Sequence, residues 1–295
     1  MNFLTICLNP VIQRTYILDD FKEDEVNRCQ EYRIDASGKG VNVTRVLAQL
    51  HKKAVHLTIA GGHFRDYFLD LCRQDDLTID WVESGSEIRT CCTLLNNRRS
   101  TSTELVEEAR PVRSGTEERV RNRYLELLPL CDWVIISGSK AAGFSQDLYP
   151  WMVQQAKQQH KKVVLDVRGP DLSASLPYVP DIIKPNYQEY LMTFFDPSDE
   201  PSQDRIKKHM LKLFEQGIRV VLTHGASKIL YTDNHKVNFL TPESIQPVNT
   251  IGSGDAFTAG MTAEYDDSGN FTTAVQKGMA CATANASHQR PGVIY

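Results

Sequence analysis

Apolar residues fall along the chain in short compact runs, separated by longer stretches in which they recur every three or four positions. Phe3–Leu8 is a compact run suited to a buried strand. Val41–Leu50 places Val43, Val46, Leu47 and Leu50 on one helical face. Ala54–Ala60 then reads as a strand and Phe64–Cys72 as a helix. Further strands are predicted at Trp133–Ser137, Val163–Val167, Asp181–Lys184 and Val220–Thr223, with helices at Glu117–Leu128, Gln146–Gln159 and Asp204–Gln216 among them. Strands alternating with helices in this way imply right-handed βαβ units, hence an α/β fold with a mainly parallel central sheet and helices on both faces.

Two stretches, Thr15–Ile34 and Ile88–Val106, break the alternation. The second reads as a hairpin with Asn96–Arg99 at its turn. Together they predict a small sheet outside the main one, used either as a lid over the sheet's mouth or as an ordinary edge extension. The Pro-, Ser- and Asp-rich piece Asp196–Gln203 reads as a surface loop.

The 295 residues leave room for two domains at roughly 150 residues each. A net charge of −4 argues against nucleic acid or an anionic membrane as the main partner, but not against a small anionic substrate. The seven cysteines (Cys7, Cys29, Cys72, Cys91, Cys92, Cys131 and Cys281) form neither a CxxC pair nor a zinc pattern, so reduced thiols and a cytoplasmic protein are expected. The N-terminus shows no signal-peptide pattern, and no run approaches the roughly 18 apolar residues of a membrane helix.

The strongest chemical signal runs from Asn249 to Gly260, NTIGSGDAFTAG. Gly252, Ser253 and Gly254 form a permissive turn directly before an apolar-periodic helix. Backbone N–H groups left bare at such a helix start make an anion hole. Asp255 would stand beside the bound anion, where a carboxylate is unfavourable unless it takes a proton from an attacking hydroxyl, as the base of a kinase does. The competing reading is a helix capped by Ser253, with Asp255 complementing the dipole.

A second signal, Ala36–Leu47 with the run SGKGVN, superficially resembles a P-loop but lacks its upstream glycine and the hydroxyl after the lysine. It reads instead as a glycine-rich helix start, with Lys39 and Asn42 pointing into a site. A third, KPNYQE at Lys184–Glu189, ends a strand and opens a helix. Asn186 and Glu189 form either a capping box or a pair near a magnesium-bound triphosphate, acting through water.

GSGDAF, SGKGVN and KPNxxE, in this order and at these separations, resemble the ribokinase-like phosphofructokinase-B sugar kinase family over essentially the whole chain. Leu8-Asn-Pro10, Ile136-Ser-Gly-Ser139 and Thr103-Glu-Leu also match. The resemblance implies a single three-layer α/β/α domain over 1–295, with lid segments at about 12–35 and 86–108, ATP, Mg2+ and transfer of the γ-phosphoryl group to a sugar hydroxyl. The phosphosugar branch, of 1-phosphofructokinase or tagatose-6-phosphate kinase type, is the nearer in motif. For that branch Arg28, Arg89, Lys39 and Ser139 are expected around the substrate phosphate, and Gly38 and Asn42 around the sugar. Lys184, Asn186, Thr223, Gly225 and Asn285 are expected on the nucleotide side, with Glu189 near Mg2+ through water. Gly252, Ser253, Gly254 and Asp255 carry the catalysis. A homodimer joined through the lid sheets is the expected assembly.

The sequence departs from the family at several points. Gln13 stands where LNPxxD has an aspartate for sugar hydroxyls, and amides bind hydroxyls without the strengthening that charge provides. Lys140-Ala-Ala-Gly143 follows the SGS turn, Lys228 replaces a glycine in the nucleotide-side segment, and Gly62-His-Phe-Arg-Asp alters another turn. The chain stops at Tyr295, soon after a helix predicted at Ala280–Ser287, where the family usually adds a further helix. Three readings follow: a sugar-phosphate kinase, a non-catalytic sugar-phosphate sensor on the same fold, and a kinase of an unphosphorylated sugar.

Overall fold

The computed structural model describes residues 2–196 and 198–295. Pro197, inside the expected 196–203 loop, lies outside the described residues, and that loop gives way to helix at Gln203. Thirteen strands, numbered in chain order, make two sheets among the described residues.

The main sheet holds β1 (Phe3–Cys7), β4 (Ala54–Ala60), β5 (Ile79–Glu83), β8 (Trp133–Ser137), β9 (Lys162–Asp166), β10 (Ile182–Ile183), β11 (Arg219–Leu222), β12 (Ile229–Asp233) and β13 (Lys236–Leu240). Their spatial order is β13-β12-β11-β10-β9-β8-β1-β4-β5. All neighbours are parallel except β11–β12 and β12–β13. The interior strand β1 is buried along its length, because helices cover both faces. Leu4 and Ile6 pack with α3 (Thr116–Leu127), α4 (Leu148–Gln158), α6 (Tyr187–Phe194) and α7 (Gln203–Glu215). Phe3 packs on the other face with α1 (Lys39–Gln49), α8 (Ser253–Ser268) and α9 (Phe271–Ala286). The layers are therefore α/β/α, the ribokinase-like arrangement that the motifs imply.

The smaller sheet, in the order β3-β2-β6-β7, joins β2 (Val11–Leu18), β3 (Glu31–Ser37), β6 (Arg89–Asn96) and β7 (Thr101–Val106). The stretches that broke the strand–helix alternation form it, and β6–β7 is the expected hairpin. Its register puts Val11, Ser37 and Arg89 at one end, and Ile17 and Glu31 at the other.

Several elements differ from expectation, among them β5, which no predicted strand covers. The β12–β13 hairpin turns at Asn234-His235, both with positive φ, a two-residue turn the sequence does not mark with glycine. The last helix starts at Phe271, nine residues before the predicted Ala280, because Thr272, Thr273 and Gly278 interrupt its apolar period. Strand β10 has only two residues before Pro185 ends it.

Candidate active site

The carboxyl ends of β8, β9 and β10 meet the N-termini of α1 and α8 in the crevice where open α/β sheets bind ligands. Gly252 opens α8 with φ +80°, and a Cβ there would stand 3.0 Å from Pro291 Cβ and 3.1 Å from Gly292 N. Only glycine accommodates both the turn and the approach. Ser253 N–H donates to Thr250 O at 3.2 Å, and Ala256 N–H to Gly252 O at 2.8 Å. The amides of Gly254 and Asp255 between them have no acceptor among the described residues, so they form the bare end of the helix.

Asp255 is buried and accepts a 2.8 Å hydrogen bond from Asn42 Nδ2. Burial pushes its carboxyl up to about 7, against the pull of Lys39; Asp166 pushes it further, and Asn42 and Lys184 lower it. Asn42 Oδ1 accepts in turn from Ser37 Oγ at 3.2 Å and Arg45 Nη1 at 3.0 Å. The amide expected to meet sugar hydroxyls is thus committed to the protein and orients Asp255.

Asp166, at the end of β9, is the charged residue that sequence reasoning missed. Its Oδ1 lies 3.2 Å from Lys39 Nζ, and its Oδ2 lies 3.1 Å from Lys184 Nζ and 2.9 Å from Thr258 Oγ1. Burial works against its charge, but the two lysines override it and hold the carboxyl below its usual range. Burial also opposes the charge on Lys39, which Asp166 and Glu189 more than restore. The only signal in the sequence is a lone acid closing the apolar run VVLD, at the sheet edge where ligands bind. Lys184, expected on the nucleotide side, is a buried partner of Asp166, with its Nζ 3.7 Å from a Cβ built on Gly254.

The capping-box reading of Asn186 and Glu189 holds. Asn186 caps α6 by accepting from Glu189 N–H at 2.8 Å, and Glu189 Oε2 accepts from Asn186 N–H at 3.0 Å. That box turns Glu189 Oε1 toward Lys39 Nζ, 3.8 Å away. Among the described residues no three His, Cys, Asp or Glu side chains converge as a metal cage. Two hard carboxylates, Asp166 and Glu189, flanking one lysine suit Mg2+ held through its own waters and the phosphates of a substrate.

Two cavities open from this cluster. One, of about 390 Å3, is lined by Asn186, Thr223, Gly225, Ser253 and Gly254 among others. The other, of about 850 Å3, lies between β7 of the small sheet and the ends of β8 and β9, and includes Lys39, Ser139, Asp166 and Glu189. Gly38 forms the N-cap of α1, its carbonyl accepting from Asn42 N–H at 3.0 Å. Gly40 is fixed by close approach, since a Cβ there would meet His56 Cε1 at 2.6 Å. Ser139 Oγ accepts from Asn9 Nδ2 at 3.0 Å. Arg89 donates from Nη1 to Glu107 O and lies with Asn9 around a void of about 20 Å3, with its Nε unpartnered.

Several expected roles are corrected. Arg28 lies beyond the Ile17–Glu31 end of the small sheet and is exposed, six register steps from the Val11–Ser37 end. At ~3.3 Å per residue that is about 20 Å, so within one chain Arg28 does not join Arg89 and Lys39. Asn285 is wholly buried; its Nδ2 donates to Ile251 O and Ser253 Oγ, and its Oδ1 accepts from Gly292 N–H. It braces the GSGD turn and has no free group for a nucleotide. Gln13 is buried and donates to Thr93 Oγ1 at 2.8 Å. Lys228 sits over the Phe239 ring at 4.7 Å.

The profile of the pfkB family carbohydrate kinase matches residues 4–294. Among solved structures, a possible 1-phosphofructokinase from Thermotoga maritima superposes with a TM-score of 0.90 at 22% identity, over 100% of this chain and 94% of that one. Phosphofructokinase-2 from Escherichia coli, in complex with substrates and products, gives 0.88 at 21%, over 97% and 93%. Ribokinase from Thermotoga maritima gives 0.75 at 16%, over 99% and 94%. At these identities the likeness carries the fold.

Proposed function

The chain belongs to the pfkB family of carbohydrate kinases, and from that premise we propose that it transfers the γ-phosphoryl group of ATP to a hydroxyl of a phosphorylated ketohexose. The observation that carries this reading is Asp255: a desolvated carboxylate titrating near 7, in the first turn of a helix whose Gly254 and Asp255 amides are bare. A base with a pKa near the working pH accepts a proton most effectively. Asp255 takes the proton of the acceptor hydroxyl as its oxygen bonds to the γ-phosphorus and the bond to the ADP oxygen breaks. The bare amides and Lys39 stabilise the charge on the transferred group. The nucleotide occupies the cavity lined by Asn186, Thr223 and Gly225, and the sugar phosphate the larger cleft with Ser139 and Lys39, near Arg89. Mg2+ supplies charge neutralisation when bound, with Asp166 and Glu189 placed to hold its waters.

The test is ADP release with fructose 1-phosphate, tagatose 6-phosphate and fructose 6-phosphate, wild type against Asp255→Asn. Loss of the base should lower kcat by about 10²–10⁴-fold. Inactivity of the wild type on all three, or a near-normal rate in the variant, defeats the proposal. The remote position of Arg28 favours a second reading, a kinase of unphosphorylated sugar; turnover of fructose in preference to its phosphates would select it.

The protein would act in the cytoplasm, a reading supported by its cysteines, all free among the described residues. None of its described helices is long and apolar enough to cross a membrane. The small sheet would serve as a lid and join two copies. Its edge strands β3 and β7 expose Tyr32 and Leu105 on the face turned from the cleft.

A further inference from the structure

Most cations at the larger cleft are already paired with carboxylates. Four carboxylates line it (Glu104, Asp166, Asp171 and Glu189) against two cations, Lys39 and Arg168. Lys39 is committed to Asp166 at 3.2 Å and to Glu189 at 3.8 Å. Lys184 is held by Asp166 and Lys140 by Asp171, so each of these lysines is already engaged by a carboxylate before a dianionic phosphate enters. The expected second donor, Arg28, lies at the far end of the small sheet.

Arg168 is the remaining cation. It follows Asp166 by two residues, past the carboxyl end of β9, and is exposed at the cleft wall. Its guanidinium makes no ion pair and no hydrogen bond with any described residue. Gly138 N–H donates to Asp166 O at 3.0 Å, which ties the segment carrying Arg168 to the turn carrying Ser139. An uncommitted guanidinium on the wall of the cleft that Ser139 also lines can receive a phosphate bidentately.

We propose that Arg168 is a specificity-determining residue that binds the phosphate group the sugar already carries and selects phosphorylated over unphosphorylated acceptors. This deepens the phosphosugar-kinase reading and rests on it. Arg168 touches neither Asp255 nor the bare amides of α8, so its removal should leave the chemical step intact.

The test combines turnover and direct binding. For Arg168→Ala, KM for the best sugar phosphate should rise by about 10- to 100-fold, as befits loss of a charge-assisted pair. KM for ATP and kcat at saturating sugar phosphate should stay within about twofold of wild type, and any turnover of fructose should be unchanged. Arg168→Lys should recover part of the loss, since it restores charge without the fork. Calorimetric titration of each protein with sugar phosphate, without nucleotide, should show the same weakening, and unchanged thermal melting certifies the fold. A wild type that turns over sugar phosphates beside a variant with unchanged KM overturns the role of Arg168 and leaves the kinase reading standing. A shift in KM for ATP instead of sugar also overturns it. Weakened binding by the variant, with a wild type that binds sugar phosphate but never turns it over, keeps the role and removes the kinase reading. A wild type that neither binds nor turns over sugar phosphates removes both.

Discussion

Asn42→Leu tests how the base is tuned. The substitution keeps the approximate volume and removes the 2.8 Å hydrogen bond from Nδ2 to Asp255. Arg45 retains Ala36 O, Pro291 O and Asp75 as partners, so the helix stays anchored. A hydrogen bond to a charged group contributes about 1.5–3 kcal/mol. At about 1.36 kcal/mol per pK unit, its loss raises the Asp255 pKa by roughly one to two units. The wild-type carboxyl stands at about 7, so about half of it is ionised at pH 7. In the variant the ionised fraction falls to roughly one tenth or one hundredth. The kcat/KM at pH 7 should therefore drop by about 5- to 50-fold and recover at about pH 9–10. The assay is the full pH profile of kcat/KM, whose acid limb reports the base in the free enzyme. A loss of equal size at every pH, with the acid limb still near 7, would refute the reasoning and make Asn42 a packing residue only.

Two other variants probe stability. Asp255 is raised from 3.8 to about 7 on folding, so it binds more protons folded than unfolded between those values, and its burial costs stability as pH climbs through that window. Asp255→Asn should match wild type in denaturant near pH 4 and exceed it above pH 7, by at most about 4 kcal/mol; equal stability at pH 8 would contradict the shift. Arg45 is buried against Asp75 at 2.9 Å, so Arg45→Met should lower unfolding free energy by about 3–5 kcal/mol in urea titrations. A loss below about 1 kcal/mol would mean that Arg290, which also pairs with Asp75, suffices alone.

The main sheet was legible because its strands are compact apolar runs: Trp133–Ser137 and Ala54–Ala60 appear with the boundaries their composition implies. Hairpin β12–β13 was not legible, because Asn234-His235 adopts a turn that glycine would have announced. At the site, the turn glycines and Asp255 are local in sequence and could be read together. Asp166, Lys184 and Lys39 come from three distant segments, and nothing local in any of them announces that they share a charge. The positions of Arg28 and Asn285 show the other limit. A motif fixes the order of residues, but the direction of a hairpin and the partners of a buried amide arise only once the sheet is assembled.

The interior place of β1 bears on how the chain is made. Phe3–Cys7 is the first strand in sequence, and it sits between β4 and β8, so one of its edges has no partner until β8 exists. Roughly 70 residues separate the end of β4 from the start of β8, or about 4–15 s of synthesis at about 5–20 residues per second. Through that interval a nascent chain carries an apolar strand with an open edge, a ready template for mispairing with another chain. Slow, non-local closure of the sheet should therefore make biogenesis of this protein more sensitive to crowding by its own nascent copies than its finished core suggests.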